Sequence, residues 1–334
     1  MRLNYNILKD LCEIASPSGY EHEICSYIKN LKPKHFVYNE TKKLSCSYEI
    51  NIKAPKTIYI DAHIDTVHLK IISIDKNNYV IAMPVGFDGL VTDGLLLVHL
   101  NTGFIGAVST MPPHLSLERR TSDEVWIDFG LPKKEMSDFK IGDYIVFSNN
   151  YKKIGKNSIT ASGLDDKCGV FILISLLRYF DTAKNIKKLK YNLILNFSSR
   201  EETGLGSFAK VKTLKIDEIF TLDTIYSTGI DLIPDYITSA ILTNGGALIT
   251  RNSDDDLELG NKIIKVAEQK KIPFQIGYTG NDNGGSNNQW FSKNIDSLAQ
   301  NIGIPLKHMH SPNEMVSTTD LRYTYLLFIS YLCE

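Results

Sequence analysis

Thr57-Ile58-Tyr59-Ile60-Asp61-Ala62-His63-Ile64-Asp65 begins as a β-branched and aromatic run and ends on an imidazole and a carboxylate. Such a run reads as a buried strand that delivers polar groups at its end. The pattern returns three times. Tyr191 to Phe197 leads into Ser198-Ser199-Arg200-Glu201-Glu202, Ile219 to Leu222 ends at Asp223, and Gln300 to Pro305 precedes Lys307-His308-Met309-His310. Helical periodicity separates them. Ile7, Leu11 and Ile14, then Ile24, Tyr27, Ile28 and Leu31, predict two amphipathic helices around the turn Ser16-Pro17-Ser18-Gly19. Val170 to Phe180 predicts a helix whose start is marked by Gly163-Leu164-Asp165-Asp166. Alternating strands and helices imply an α/β sheet, where functional residues gather outside the carboxyl ends of the strands.

From about Val67 to Ile154 the texture changes. Short β-type runs (Tyr79 to Ala82, Leu95 to Leu100, Glu124 to Phe129, Asp143 to Phe147) are separated by Gly, Asp and Pro, as in a small all-β insertion. The expected organisation is a discontinuous main domain, 1–66 and 155–334, interrupted by an inserted domain, 67–154. An insert leaving just after Asp65 lies beside any site built there.

Composition narrows the function. At 334 residues, 43% hydrophobic and 22% charged, the chain has ordinary globular proportions and room for a substantial core. The net charge of −1 lacks the cationic excess needed to displace counterions from phosphates, so no nucleic-acid partner is expected. The longest apolar stretch, near Tyr325 to Leu332, is too short to span a bilayer and reads as the buried part of a C-terminal helix. Cys12, Cys25, Cys46, Cys168 and Cys333 are scattered without Cys-x-x-Cys spacing, as reduced cytoplasmic thiols would be. The N-terminus lacks the apolar core of a signal peptide.

His63, Asp165, Glu202, Asp223 and His310 each fall at an expected strand or loop end. Two His with three carboxylates suit zinc, cobalt or manganese, and a pair of divalent ions needs about this set. Each motif also has a plainer reading. A lone His at a strand end is more often hydrogen-bonded structure than a ligand, although Asp65, two residues on, could hold the His63 imidazole in its ligating tautomer. Adjacent glutamates are usually a solvated loop. Glu201-Glu202, however, directly follows an apolar strand and precedes the glycine-rich turn Thr203-Gly204-Leu205-Gly206, which lets backbone approach a site. Asp165 and Asp166 could cap the following helix, a role that suits Asp166. Periodicity does not choose between His308 and His310.

Ala62-His63-Ile64-Asp65, Leu164-Asp165-Asp166-Lys167, Glu201-Glu202-Thr203-Gly204-Leu205, Leu222-Asp223 and Met309-His310-Ser311-Pro312 together resemble the deblocking and glutamyl aminopeptidases of the tetrahedral type. Met111-Pro112-Pro113-His114-Leu115, Ile127-Asp128-Phe129-Gly130 and Ile141-Gly142-Asp143-Tyr144 resemble that family's β-rich insert. The resemblance implies a mixed-sheet three-layer metallopeptidase domain carrying a small all-β domain, barrel or PDZ-like, that serves oligomerisation and substrate access. It implies two divalent ions, zinc first, with His63 and Asp223 on one, Glu202 and His310 on the other, and Asp165 bridging. Glu201 would be the general base and Asp65 the second catalytic carboxylate. Short peptides would be the substrates, and the chain would form homo-oligomers between a dimer and a dodecamer.

The sequence also departs from the family. Thr66 stands where Glu is usual and gives His-x-Asp-Thr-Val, as in the related dipeptidases and tripeptidases. Spacing favours the first family, because about one hundred residues separate His63 from Asp165 and only about ninety separate Asp223 from His310. Lys167 replaces a frequent Arg, and Gly280-Asn281-Asp282-Asn283 departs from Gly-Thr-Asp-Ala, differences expected to bear on substrate contacts. His308 reads as a neighbour of the site and His114 as structural or an intersubunit contact. Two rivals are a carboxylate-pair glycoside hydrolase, which gives the histidines no role, and a non-catalytic metal-stabilised assembly protein.

Overall fold

In the strand Thr57–His63, Ile58 and Ile60 enter one apolar cluster and Tyr59 another, so successive side chains face opposite sides of the sheet and both sides are covered. The computed structural model describes residues 3–110, 123–208, 211–228, 239–279 and 285–334. In chain order the described elements are α1 (Tyr5–Glu13), α2 (His22–Lys29), β1 (Val37–Glu40), β2 (Cys46–Ile50), β3 (Thr57–His63), β4 (His68–Ile74), β5 (Val80–Val85), β6 (Leu96–His99), β7 (Ile105–Val108), β8 (Val125–Asp128), β9 (Tyr144–Phe147), β10 (Lys152–Ile154), β11 (Ser158–Ala161), α3 (Leu164–Phe180), β12 (Asn192–Ser198), β13 (Glu218–Tyr226), β14 (Ala247–Thr250), α4 (Leu257–Lys270), β15 (Phe274–Gly277), α5 (Asn287–Asn294), β16 (Leu298–Lys307), β17 (Glu314–Ser317) and α6 (Thr318–Leu332), besides short 3₁₀ turns.

A mixed sheet runs β1-β2-β12-β3-β13-β16-β17-β11-β10, with β14 on β16 and β15 on β14. Its central strands β12, β3, β13 and β16 are parallel. Odd and even positions of these strands divide between two cores. Leu193, Leu195, Phe220, Leu222, Ile302 and Ile304 join α1, α2, α3, α4 and α6 on one side, while Ile194, Ile219 and Ala299 meet Phe291 of α5 on the other. The three layers follow from that alternation. α3 is apolar almost all round because it lies between the sheet and the helices α1 and α6.

The second unit is a closed barrel, β4-β5-β8-β7-β6-β9, filled by Leu69, Ile71, Val80, Leu97, Val125, Ile127 and Ile145. The short β-type runs foresee β5, β6, β8 and β9 but not β4 or β7. A register shift between Ile71 and Ser73 breaks the alternation of β4. In β7, a side chain at Gly106 would collide with Ile127 and Phe129, so the strand carries glycine where an apolar residue would have signalled it.

Two expectations are corrected. The barrel's last strand ends at Phe147, and Lys152–Ile154 pairs with β11 in the large sheet, so the return precedes the expected boundary at 154; this exposed edge strand carries little hydrophobic signal. Asp223 does not end its strand either, since β13 continues to Tyr226 alongside β16. The pairing of β13 with β3 is what stops, at Thr221 opposite Asp61. The segment Met111-Pro112-Pro113-His114-Leu115 and the stretch Asn281-Asp282-Asn283 lie outside the described residues.

Phe220 is fully buried, edge-on to Phe328 and Tyr331 at centroid distances of 5.6 and 5.1 Å. Phe220→Ala is expected to cost about 3–5 kcal/mol in chemical denaturation; a loss below about 1 kcal/mol contradicts this packing.

Candidate metal centre

Register brings the first residues together. Ser198 lies opposite His63 in the β12–β3 pair, and continuing the β13–β3 alignment by two residues from Thr221 and Asp61 sets Asp223 beside His63. His63 Nε2 is 3.7 Å from Asp223 Oδ1 and 3.2 Å from Asp165 Oδ1. Asp165 enters from the start of α3, where its φ of −81° and ψ of 111° are not helical. Its other oxygen, Oδ2, is 3.2 Å from His310 Nε2, which is 3.3 Å from Glu202 Oε2. His310 comes from the loop between β16 and β17, and Glu202 from the turn after β12. All five expected ligands converge.

Asp65 does more than the sequence suggests. His63 Nδ1 lies 3.1 Å from the Asp65 backbone carbonyl and 3.6 Å from its Oδ1. The Asp65 carboxylate accepts the Ser18 hydroxyl at 2.6 Å and the N–H groups of Glu201 and Glu202 at 3.0 and 3.2 Å. It therefore anchors the glutamate turn as well as backing the imidazole. Burial opposes its charge, but His63, Ser18 and the Glu201 N–H outweigh that and hold the carboxyl below its ordinary range. Glu201 is in the opposite position. Burial first, then the charges of Asp223, Asp65 and Asp165 against the pull of His63, push it up to about 8.

The remaining residues sort by position. Asp166 accepts the Gly169 N–H at 2.9 Å, the helix-capping role, and also lies near His63 and Asp223. His308 is exposed, while His310 is in the cluster. Lys167 is directed away from the substrate side. Its buried ammonium donates to the Ile14 carbonyl at 2.5 Å and lines a cavity of about 60 Å³ that also touches Thr66. Burial lowers its pKa to about 8. Thr66 lies beneath Gly163, outside the cluster.

Sequence reasoning missed Glu314. It is buried, and accepts the His310 N–H at 2.8 Å and the Asp165 N–H at 3.2 Å. Also missed was Asp61, which receives Asn196, Ser198 and Asn287 behind the site. Neither carries a local signal, since a lone Glu after Ser-Pro-Asn and an Asp within a strand have no telling period.

The cluster opens into a cavity of about 610 Å³, walled opposite by Phe208, Tyr226, Asn252, Asp254, Thr279 and Trp290. The donors fit divalent cations. Ligand atoms of His63, Asp165 and Glu202 lie within 4.8 Å of one another, as do those of His63, Asp166 and Asp223. Glu202 Oε1 and Asp166 Oδ2 are buried without a hydrogen-bond partner among the described residues, the condition that a bound cation relieves. Five carboxyls against two imidazoles also leave a deficit of positive charge.

The M42 glutamyl aminopeptidase family model matches residues 47–327. Lysyl aminopeptidase of Pyrococcus furiosus is 22% identical over 362 aligned positions, covering 99% of this chain and 97% of that protein. The TET aminopeptidase of a marine sediment Thaumarchaeota archaeon has a TM-score of 0.90 at 21% identity, covering 98% of this chain and 95% of that one. The TET1 peptidase of Pyrococcus horikoshii, which can assemble into a tetrahedron or a large octahedral shell, has a TM-score of 0.82 at 24% identity, covering 98% of each chain.

Burial opposes a charge on His310, but the hydrogen bond to Asp165 and the charge of Glu202 prevail and raise it to about 10. An imidazolium cannot ligate, so cations entering below that pH must displace protons, and their affinity falls as pH falls. Calorimetric titration of stripped protein with Zn²⁺ in two buffers of different ionisation enthalpy should show proton release and tighter binding at higher pH. Identical heats in both buffers, with affinity flat across neutral pH, contradict this.

Proposed function

Because this chain belongs to the M42 glutamyl aminopeptidase family, and is thus a metallo-aminopeptidase, we propose that it removes N-terminal residues from short peptides using two divalent ions. His63 and Asp223 would hold one ion and Glu202 and His310 the other, with Asp165 shared between them. The observation that carries this reading is the stance of Asp165, with Oδ1 turned to His63 and Oδ2 to His310, each at 3.2 Å. Zinc suits two imidazoles and three carboxylates, with cobalt and manganese as substitutes. When bound, such ions polarise a scissile carbonyl and acidify water.

The chain's own groups do the rest. Glu201 accepts the proton of the attacking water and returns it to the departing amine. Its main chain is tied to Asp65 while Glu201 lines the cavity, which puts its carboxyl in the space that a substrate and the attacking water would share. Asp65 acts as a positioning carboxylate that fixes His63 and the Glu201–Glu202 turn. The described lining of the cavity contains several carboxylates and no Lys or Arg, a setting that favours a substrate's free α-ammonium group. A 610 Å³ space suits the end of a short peptide rather than a folded chain.

The barrel is proposed as the oligomerisation and access module. It presents Leu96, Ile105 and Trp126 at 57%, 56% and 38% exposure, and the similar Pyrococcus horikoshii peptidase assembles into closed shells. Among the described residues no helix is long and apolar enough to cross a membrane.

Glu201→Gln should retain both ions by elemental analysis and lose at least about a hundredfold in turnover on aminoacyl substrates. Hydrolysis within roughly tenfold of the unmodified enzyme removes Glu201 from the role of base. Stripped protein reconstituted separately with zinc, cobalt or manganese and assayed on an N-terminal residue panel tests the activity itself; metal uptake without turnover on any substrate overturns the proposal.

A further inference from the structure

Two of the ligands sit in backbone that repeating structure does not hold. His310 has a left-handed φ of +58° in the loop after β16, and Asp165 departs from helical geometry within the first turn of α3. Their side chains must nevertheless keep a separation of 3.2 Å for one cation to lie between them. The strand β17 lies between the two strands that deliver them, paired with β11 on one side and β16 on the other. Glu314, its first residue, stands opposite Ala161, just before the turn into Asp165, and four residues after His310. The Glu314 carboxylate is 1% exposed and turns one oxygen to each segment: Oε1 accepts the His310 N–H at 2.8 Å, and Oε2 accepts the Asp165 N–H at 3.2 Å.

A buried carboxylate is costly unless strongly hydrogen-bonded. Here both oxygens are committed to the main chains of two ligands 145 residues apart in sequence (310 − 165). We propose that Glu314 is a positioning residue that sets the spacing of Asp165 and His310 and thereby the affinity for the cation they share. The inference rests on the ligand assignment above. Glutamine at 314 preserves volume but offers only one acceptor oxygen, so its amide N–H₂ faces one of the two N–H donors. Aspartate keeps both carboxyl oxygens but is one methylene short of spanning both N–H groups.

Metal-stripped wild-type, Glu314→Gln and Glu314→Asp proteins would be titrated with Zn²⁺ by calorimetry and with Co²⁺ by visible absorption, with thermal midpoints and kcat and KM recorded alongside. Phe220→Ala serves as a control for general destabilisation. The expected result is a tenfold to hundredfold weaker affinity for one ion in both Glu314 variants. The cobalt spectrum should change, and kcat should fall more than KM changes. Phe220→Ala should lower the midpoint while leaving metal affinity within about twofold. If both Glu314 variants bind both ions within about twofold of wild type, or lose affinity only as the Phe220 control does, the inference falls. Should the glutamine variant not fold, the aspartate variant decides. If wild-type protein takes up a single ion, the two-ion reading fails, while the effect of Glu314 on that ion still decides this proposal.

Discussion

Asp165 stands between two imidazoles with one oxygen toward each, and the cost of burying it among Asp166, Glu201, Glu202 and Asp223 shapes the surrounding structure. Like charges about 4 Å apart repel by about 4 kcal/mol at an effective dielectric of 20, a large fraction of a domain's net stability. In the absence of metal, protons relieve the repulsion: burial and neighbouring carboxylates raise Glu201, Glu202 and Asp223, while the carboxylates raise His63 and His310 against the effect of burial. Divalent cations would take the place of those protons and so stabilise the fold on binding. The cluster holds a deficit of positive charge in a rigid frame.

The frame is the sheet. Parallel registry between β12, β3 and β13 fixes Ser198, His63 and Asp223 at one level, and the early end of the β3–β13 pairing opens space where Asp223 meets His63. A strand interior is a more exact support than a loop, which suits a ligand whose position cannot vary. The barrel also reaches this level. Tyr144 of β9 donates to the Ser18 carbonyl at 3.2 Å, and the Ser18 hydroxyl donates to Asp65. Barrel, N-terminal turn and glutamate turn therefore share the single carboxylate of Asp65.

Legibility in the sequence followed the same division. Buried strands ending in polar residues carry a local pattern, and His63 and Glu201-Glu202 could be read from it, while the same pattern led to Asp223 although its strand runs on to Tyr226. The resemblance gave Asp165 the bridging place and chose His310 over His308. Residues whose importance is purely tertiary left no trace. Glu314 matters because β17 falls between β11 and β16, a consequence of topology that no spacing along the chain announces. Lys167, whose replacement of a frequent Arg bears by resemblance on substrate contacts, instead donates to the Ile14 carbonyl. The strand β4 was obscured by a bulge and β7 by a glycine required for close packing.

The wall facing the cluster is fixed by the same economy of buried carboxylates. Asp61 lies two residues before His63 on β3 and is fully buried. It accepts Asn196 at 2.6 Å, Ser198 at 3.0 Å and Asn287 at 2.8 Å, and burial still pushes its pKa up to about 6. Asn287 begins α5, the helix that carries Trp290 into the cavity lining, and Gly206 passes so close that a side chain there would strike Asn287 and Phe208. One strand thus presents His63 to the metal ligands and Asp61 to the helix that walls the cavity. β3 thereby sets where α5 stands relative to the cluster, while Phe208, Asn252, Asp254 and Thr279, outside helices and strands, complete the wall.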